Sequence, residues 1–228
     1  MKKVSVFAIP MLLLAFSASS QDTVTRELPP FTRLYVADKI TVELYKTDKE
    51  SATIKTQGID PADIQTVVEN NTLNIKQVGS HFSKKKVLVK LYFREIKELE
   101  IVNGAEVLTT SLFKADSLKV TLKSGGMLYL DADIKYLNSY VAEGALLTGE
   151  GYATTHDAVV ATYATLSAYD LESETVNIKA SSGGKAKIAV ESVFNAEASS
   201  GGTISYKGEP QVKNITAGSG TQVEPYKE

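Results

Sequence analysis

The side chains that most often carry out catalysis are scarce in this sequence. It contains two histidines, His81 and His156, and no cysteine. Without cysteine there can be no disulfide, thiol catalysis, cysteine metal site or lipid-modified cysteine. His156 precedes Asp157, but neighbouring residues of a strand point to opposite sides, which does not suit a catalytic or metal-binding set. We therefore predict no metal, no cofactor and no catalysis by histidine.

Carboxylates are more numerous, and two of them could support chemistry on polysaccharides. Asp131 and Asp133 are close in sequence, at a point where the chain is expected to turn. Glycoside cleavage needs two carboxyl groups roughly 5–10 Å apart across the scissile bond. Lyase chemistry also needs a group that neutralises a sugar acid, and no arginine follows Arg94. A polysaccharide-active enzyme is therefore an alternative rather than the preferred interpretation.

Tyrosine is the residue type best suited to recognition in this chain. There are 11 tyrosines and no tryptophan, and aromatic rings can stack on sugars or anchor an interface. Tyr129 and Tyr140 fall at outward offsets of the repeat described next, so they are the candidate binding residues. Tyr206 falls at an inward offset and is predicted to be core. Scattered surface tyrosines without a ligand are the alternative.

These residues are carried by a repeat of about twenty residues. Small turns begin at seven positions, separated by 21, 19, 19, 20, 18 and 18 residues: Asn103, Ser124, Glu143, Thr162, Ser182, Ser200 and Gly218. Positions six, four and two before a turn are mostly apolar or small, as in Val176, Ile178 and Ala180, with polar residues between. Period-two alternation predicts strands with one buried side, and a fixed period predicts a solenoid.

The predicted fold class is all-β: a right-handed parallel β-helix, or solenoid, with rungs of about 18–21 residues. The strict six-residue apolar repeat typical of a left-handed β-helix is not found. A β-sandwich or barrel is the alternative, because it also has short strands and frequent turns. Strands between Leu99 and Val223 should stack in parallel, with Val120, Ile178 and Ala196 pointing inward.

Glycines occupy most of the predicted turns, where a sharp bend or a positive φ is needed. We predict that Gly183 and Gly201 adopt the left-handed conformation. The turn at residues 162–164 has no glycine, so its conformation is left open. The structural turn glycines are Gly104, Gly125, Gly126, Gly144, Gly183, Gly184, Gly201, Gly202, Gly218 and Gly220.

Charges on the outward offsets are expected to avoid like-charged neighbours. Adjacent rungs lie about 4.8 Å apart, so residues at the same offset meet across the sheet. At these offsets Glu100 is followed by Thr121, Glu98 is followed by Lys119, and Glu197 lies between Lys179 and Ile215. This arrangement is typical of a solvated β-surface rather than of a catalytic pair of carboxyls.

The two ends of the chain have different predicted roles. Residues 1–20 are predicted to be a signal peptide, since Lys2 and Lys3 precede an apolar stretch and small residues lead to cleavage before Gln21. Residues 21–228 are predicted to be one β-helical domain. Its strands at 21–95 close one end, and its rungs occupy 96–228. Pro225 and the charges around it are expected to end the stacking.

The remaining composition limits the partners. The formal charge of −2 becomes −4 without Lys2 and Lys3, which disfavours nucleic acid and anionic membranes. No later segment is apolar enough to span a membrane in the mature chain. The lysines at 84–86 are interpreted as a solvated loop tip, with contact to anionic lipid or glycan as the alternative.

The ordered series of turns resembles a known family. The sequence contains FTRLYVADKITVELYKTD, then TLNIKQV, the recurrent SGG turns, YKGEP and a closing AGSGTQV. Over residues 28–223 this series is similar to the head GIN domain family of "putative autotransporter adhesins", common in Bacteroidetes-type envelopes. The resemblance implies an exported right-handed β-helix and supplies no catalytic residues. We predict no translocator barrel within these residues, so the word autotransporter is not carried over.

We therefore predict an exported binding module that is not an enzyme, located in the periplasm, at the outer membrane or outside the cell. It is expected to be adhesin-like and to contact glycan or protein through the faces of the β-helix. A structural envelope protein without a ligand is the first alternative, and a polysaccharide-active β-helix enzyme is the second. An acid cluster in a cleft would favour the enzyme.

Overall fold

The protein is an all-β solenoid in the computed structural model, which describes residues 21–79 and 86–226. The predicted parallel β-helix is confirmed, with about 7 turns and rungs of roughly 19 residues. The predicted signal peptide at 1–20, His81 and the lysines at 84 and 85 lie outside the described residues. Within the described ranges, no helix is long or apolar enough to cross a membrane.

Seven strands precede the regular rungs. They are β1 (Gln21–Glu27), β2 (Arg33–Val36), β3 (Thr41–Lys46), β4 (Ser51–Gln57), β5 (Ile64–Glu69), β6 (Thr72–Gln77) and β7 (Lys86–Phe93). A single 3-10 turn at Pro61–Asp63 separates β4 from β5, and the Asp60 side chain caps it by accepting from the Ala62 amide at 2.8 Å. Asn70 and Asn71 form a tight hairpin between β5 and β6, both with positive φ.

Eleven strands form the regular rungs. They are β8 (Glu98–Ile101), β9 (Glu106–Thr109), β10 (Phe113–Leu122), β11 (Met127–Val141), β12 (Leu146–Val160), β13 (Thr165–Ala180), β14 (Lys185–Ala189), β15 (Val193–Ala198), β16 (Thr203–Lys207), β17 (Val212–Ala217) and β18 (Gln222–Pro225). Neighbouring rungs pair in parallel throughout, as predicted.

Two columns of strands flank the turns. We call the segments that precede each turn the pre-turn sheet, which includes β8, the second halves of β10 to β13, and then β15 and β17. The segments that follow each turn are the post-turn sheet, which includes β9, the first halves of β11 to β13, and then β14, β16 and β18. The long strands β11 to β13 therefore join one sheet to the other without a break.

The core fills the space inside the coil. Val120, Ile178 and Ala196 are 0%, 2% and 5% exposed, so they point inward as predicted. Burying an aliphatic side chain of this kind contributes about 1.5–3 kcal/mol, and the parallel register repeats that gain on every rung. Tyr206 is also core, as predicted, with its ring centroid 4.7 Å from that of Phe194.

The N-terminal strands close one end, as predicted, but not in chain order. The rung made by β2 and β3 lies between β8–β9 on one side and β6–β7 on the other. Strand β7 is parallel to β3 but antiparallel to β4, and β1 then pairs antiparallel with β4. Arg26 of β1 donates to the carbonyl oxygens of Pro61 and Ile64 at 2.8 and 2.6 Å. This guanidinium therefore ties the last strand of one sheet to the other sheet.

The turns stack on one another through their backbones. At Ser124 and Gly125, φ is +50° and +73°, so two consecutive residues are left-handed. The Gly125 amide donates to the Glu143 carbonyl of the next turn at 3.0 Å. Gly183 and Gly201 have φ of +73° and +76°. Since glycine has no Cβ, it takes this conformation without the clash that other L-residues suffer.

Four of the predicted turn glycines lie outside the positive-φ region: Gly126, Gly184, Gly202 and Gly218. In the first three, a Cβ would come within 2.2–2.3 Å of a carbonyl oxygen of the preceding rung, so close approach of backbone explains the glycine. Gly218 precedes its turn, because Ala217 pairs with Ala198 and the turn opens at residue 219. The prediction for this rung was therefore wrong by one residue, and Thr216 rather than Ile215 lies beside Glu197.

The turn without a glycine has the same conformation as the others. Thr162 and Tyr163 have φ of +50° and +59°, and the Tyr163 amide donates to the Ser182 carbonyl at 3.1 Å. The stacking of turns therefore imposes the left-handed conformation on a tyrosine that is 80% exposed.

Replacing Tyr163 with glycine should stabilise the protein by up to about 1 kcal/mol. The left-handed conformation costs an L-residue roughly 1–2 kcal/mol, and the greater flexibility of unfolded glycine offsets part of that gain. The measurement is the midpoint of urea unfolding, with Tyr163→Ala as the control because alanine keeps the Cβ. Equal midpoints for the glycine and alanine variants would contradict this account of the turn.

Candidate functional site

Outward side chains of the pre-turn sheet form two rows along the coil axis. The amide row, five residues before each turn, consists of Asn138, Asp157, Asn177, Asn195 and Asn214. The mixed row, three residues before each turn, consists of Tyr140, Val159, Lys179, Glu197 and Thr216. Because the strands pair in register, members of each row repeat at about 4.8 Å.

From Asn214 to Asp157, the amide row is a continuous chain of hydrogen bonds. Asn214 donates through Nδ2 to Oδ1 of Asn195 at 2.8 Å, and Asn195 donates in the same way to Asn177 at 2.7 Å. Asn177 then donates to Oδ1 of Asp157 at 2.7 Å. A side-chain amide has two N–H donors and an oxygen with two lone pairs. Each interior asparagine therefore retains one donor and one lone pair beyond those used in the row.

The mixed row supplies an aromatic ring, an aliphatic side chain and a neutralised ion pair. The Nζ atom of Lys179 lies 2.7 Å from Oε2 of Glu197. Tyr140 is 38% exposed, and Lys123 Nζ lies 5.5 Å from the centroid of its ring. An exposed ion pair of this kind contributes little stability, so its main effect here is to cancel charge within the row.

A groove lies between the two rows and runs across the strands. It has a volume of about 450 Å³ and is lined by both rows, with Ser139, Ala158, Ile178 and Ala196 beneath them. One wall presents amides at every rung from β13 to β17, and the other presents the tyrosine ring and Val159. Such a surface suits an extended ligand with hydroxyl groups along one edge and apolar surface along the other.

The structure separates the two predicted binding tyrosines. Tyr140 lies in the mixed row and lines the groove. Tyr129 is equally exposed, but it lies on the post-turn sheet between Leu108 and Thr148. The two rings are therefore on strands that precede and follow the turn, and only Tyr140 belongs to the groove.

The amide row was not recognised as a site from the sequence, although a signal for it exists. Its members share one offset, five residues before the turn, in successive repeats. Asn214 was displaced from that offset by the error in the position of the last turn. A comparison of which residue type occupies each outward position in successive repeats would have found the row, because asparagine recurs there.

The buried histidine is part of the core. His156 is 1% exposed, and its Nε2 lies 2.9 Å from Oγ of Ser139, which is 2% exposed. Burial lowers the pKa of His156 from 6.5 to about 4, and the nearby charge of Asp157 opposes this only in part. The imidazole is therefore neutral near pH 7.

Several outward carboxylates lie where the chain passes from the post-turn sheet to the pre-turn sheet. Asp131 and Asp133 lie within the continuous strand β11, between its two halves. Asp131 pairs with Glu150, and Glu150 pairs with Asp170, so three acids do stack at one offset. The expectation that outward acids avoid one another is therefore wrong at this position, because it considered only the offsets just before the turn.

The neighbouring carboxylates are held by lysines. Oδ2 of Asp133 lies 3.0 Å from Nζ of Lys114, and Oδ1 of Asp116 lies 2.6 Å from Nζ of Lys135. The hydrogen bond and charge of Lys135 lower the pKa of Asp116, whereas a general acid at neutral pH needs a raised pKa. Among the residues that the structure describes, no three His, Asp or Glu side chains are grouped to hold a metal ion.

Comparison with known proteins identifies a matching family. Residues 30–210 match the profile of a family described as "Putative auto-transporter adhesin, head GIN domain". No curated protein matches the chain.

Solved structures with low sequence identity share the fold. A "putative adhesin" from Bacteroides fragilis has a TM-score of 0.83 and 17% identity, with 92% of this chain and 98% of that chain covered. A "Putative lipid binding protein" from Parabacteroides distasonis has a TM-score of 0.70 and 17% identity, with coverages of 91% and 97%. A "putative adhesin" from the same species has a TM-score of 0.69 and 16% identity, with coverages of 91% and 98%.

Proposed function

Because this chain belongs to the head GIN domain family, we propose that it is an exported, adhesin-like binding module that contacts a glycan or protein through its pre-turn sheet. The family and two of the three similar structures are described as adhesins, the third is described as a lipid binding protein, and none is described as an enzyme. The predicted signal peptide at residues 1–20 supports a position in the periplasm or at the cell surface.

The groove between the amide row and the mixed row is the observation that carries this proposal. It combines a regular array of hydrogen-bonding groups with an exposed tyrosine, on a rigid sheet whose register is held by the core. Sites built on strands keep their geometry better than sites built on loops. Catalysis on a polysaccharide would need free carboxyl groups, whereas binding does not. Asp116 and Asp133 are each paired with a lysine, which favours binding over catalysis.

The test is binding of purified residues 21–228 to panels of glycans and of surface proteins. A double variant, Tyr140→Ala with Asn177→Ala, should weaken binding by about ten- to a hundredfold, because it removes a ring contact and a hydrogen-bonding amide. Tyr129→Ala is the matched control, since that ring has the same exposure on the other sheet.

Three outcomes would count against the proposal. If the double variant in the groove and the Tyr129→Ala variant lost the same affinity, the groove would not be the binding site. No binding to any panel member would favour the structural protein without a ligand. Turnover of a polysaccharide that a single Asp or Glu substitution abolishes would favour the enzyme.

A further inference from the structure

We propose that the groove binds a neutral, linear glycan whose chain lies along the coil axis, an inference that rests on the proposed binding function. The ligand class follows from the amide row. Its residues repeat once per rung, at about 4.8 Å, so a chain that crosses the strands meets an equivalent amide at each step. A repeating row of donors and acceptors is matched by a ligand that itself repeats hydroxyl groups along its length.

The hydrogen bonds within the row favour hydroxyl groups over charged groups. Asn177 and Asn195 each donate one N–H and accept one hydrogen bond within the row. Each therefore offers both a donor and an acceptor at the groove. A sugar hydroxyl also donates and accepts, so it can use both groups, whereas a carboxylate or sulfate can only accept.

The charge of the groove gives no preference for an anionic chain. Its charged lining residues are Asp157, Lys179 and Glu197. Lys179 and Glu197 pair at 2.7 Å, and the charge of Asp157 is offset by that of Lys123, whose Nζ lies 5.5 Å from the Tyr140 ring at the β11 end. The groove therefore has no excess of positive charge to attract a uronate or sulfated chain. Lysines gather instead on the post-turn sheet, where Lys187 and Lys207 lie 5.9 and 5.0 Å from the Tyr169 ring.

The mixed row gives the bound chain a direction. Tyr140 and Val159 occupy β11 and β12, at the end of the groove nearer the closed N-terminal strands. They present apolar surface that suits the C–H face of a pyranose ring. The asparagines that retain both donor and acceptor lie farther along, on β13 and β15. One sugar ring is therefore expected to stack on Tyr140 while the following rings hydrogen-bond to the amides.

The length of the groove limits how many sugar units of the glycan can contact it. Five strands contribute to each row, which gives a span of about 19 Å at the spacing of adjacent strands. This span accommodates several sugar rings. Affinity should therefore rise with each added sugar until the span is filled, and then stop rising.

The experiment measures binding of cello- and manno-oligosaccharides of two to six units to residues 21–228 by calorimetry, beside oligogalacturonates of the same lengths. We expect affinity for at least one neutral series to increase about tenfold or more from two units to the plateau. Asn195→Ala should lower the affinity for the longest oligomer about tenfold, since one amide is lost. Ser167→Ala, an outward residue of the post-turn sheet, should leave it unchanged.

The outcomes separate this inference from the proposed function. Tighter binding of galacturonates, binding that does not depend on length, or groove-dependent binding of a protein would overturn the inference but leave the binding function standing. An absence of any groove-dependent binding, with Asn195→Ala unfolding in urea as the wild type does, would overturn both.

Discussion

Replacing Gly151 with alanine should lower the free energy of unfolding by on the order of 3 kcal/mol or more, and the variant could fail to fold. Gly151 lies in β12 with φ of +97° and pairs with Ala132 of β11. A Cβ at this position would lie 2.1 Å from the Ala132 carbonyl oxygen and 3.0 Å from its backbone nitrogen. Both the conformation and the space oppose a side chain, and the obstacle is backbone, which cannot rotate away.

Gly144→Ala is the matched control for that substitution. Gly144 also has a positive φ, of +70°, but a Cβ there would have no atom within 4 Å. Its replacement should therefore cost only the conformational strain, about 1–2 kcal/mol. The measurement is the midpoint of urea unfolding for both variants. If the two midpoints fell by the same amount, close approach of β11 would not be the reason for glycine at position 151.

The protein should lose about 3 kcal/mol of stability as the pH falls from about 6.5 to about 4, through His156. Its pKa is lowered by burial to about 4 in the folded protein, against 6.5 for an exposed histidine. Between these values the unfolded chain binds a proton and the folded chain does not, so acid favours unfolding. The stability that depends on neutral His156 is fully present above pH 6.5 and is lost by pH 4. Its size of about 3 kcal/mol follows from the difference between the folded and unfolded pKa values.

The double variant Ser139→Ala with His156→Leu isolates this effect. It removes the titrating imidazole together with the hydroxyl that lies 2.9 Å from it, so no buried partner is left unpaired. The unfolding free energy of the wild type minus that of the variant should fall by about 3 kcal/mol as the pH falls from 6.5 to 4. The other titrating groups, His81 included, are common to both proteins and cancel in that difference. Parallel pH profiles for the two proteins would refute the role of His156.

The rung fold was predictable because its signals are local. Alternation around Val176, Ile178 and Ala180 shows which residues point inward, and the turns repeat at nearly constant spacing. The order of the N-terminal strands was not predictable in the same way. Strand β7 enters between β3 and β4, and pairing between distant segments leaves no periodic trace in the residues themselves.

The site was predicted only in part, for a related reason. Exposure of Tyr140 followed from its offset, but the alignment of Tyr140 with Val159 and of Asn138 with Asp157 depends on register between rungs. A shift of one residue reverses which side chains point outward, and such a shift hid Asn214. Tyr163 shows the opposite case, in which the neighbouring turns impose a conformation that its own side chain disfavours.

The rung made by β2 and β3 is enclosed by strands from distant parts of the chain, so the solenoid can be lengthened at its C-terminal end only. Duplicating a whole rung near β15 or β17 would add one strand to each sheet and one more residue to the amide row, with inward and outward residues unchanged. The same duplication near β2 would disrupt the antiparallel strands and the bonds of Arg26. Variation in reach among proteins built on this plan should therefore accumulate toward the C-terminal rungs, while the N-terminal end keeps a constant length.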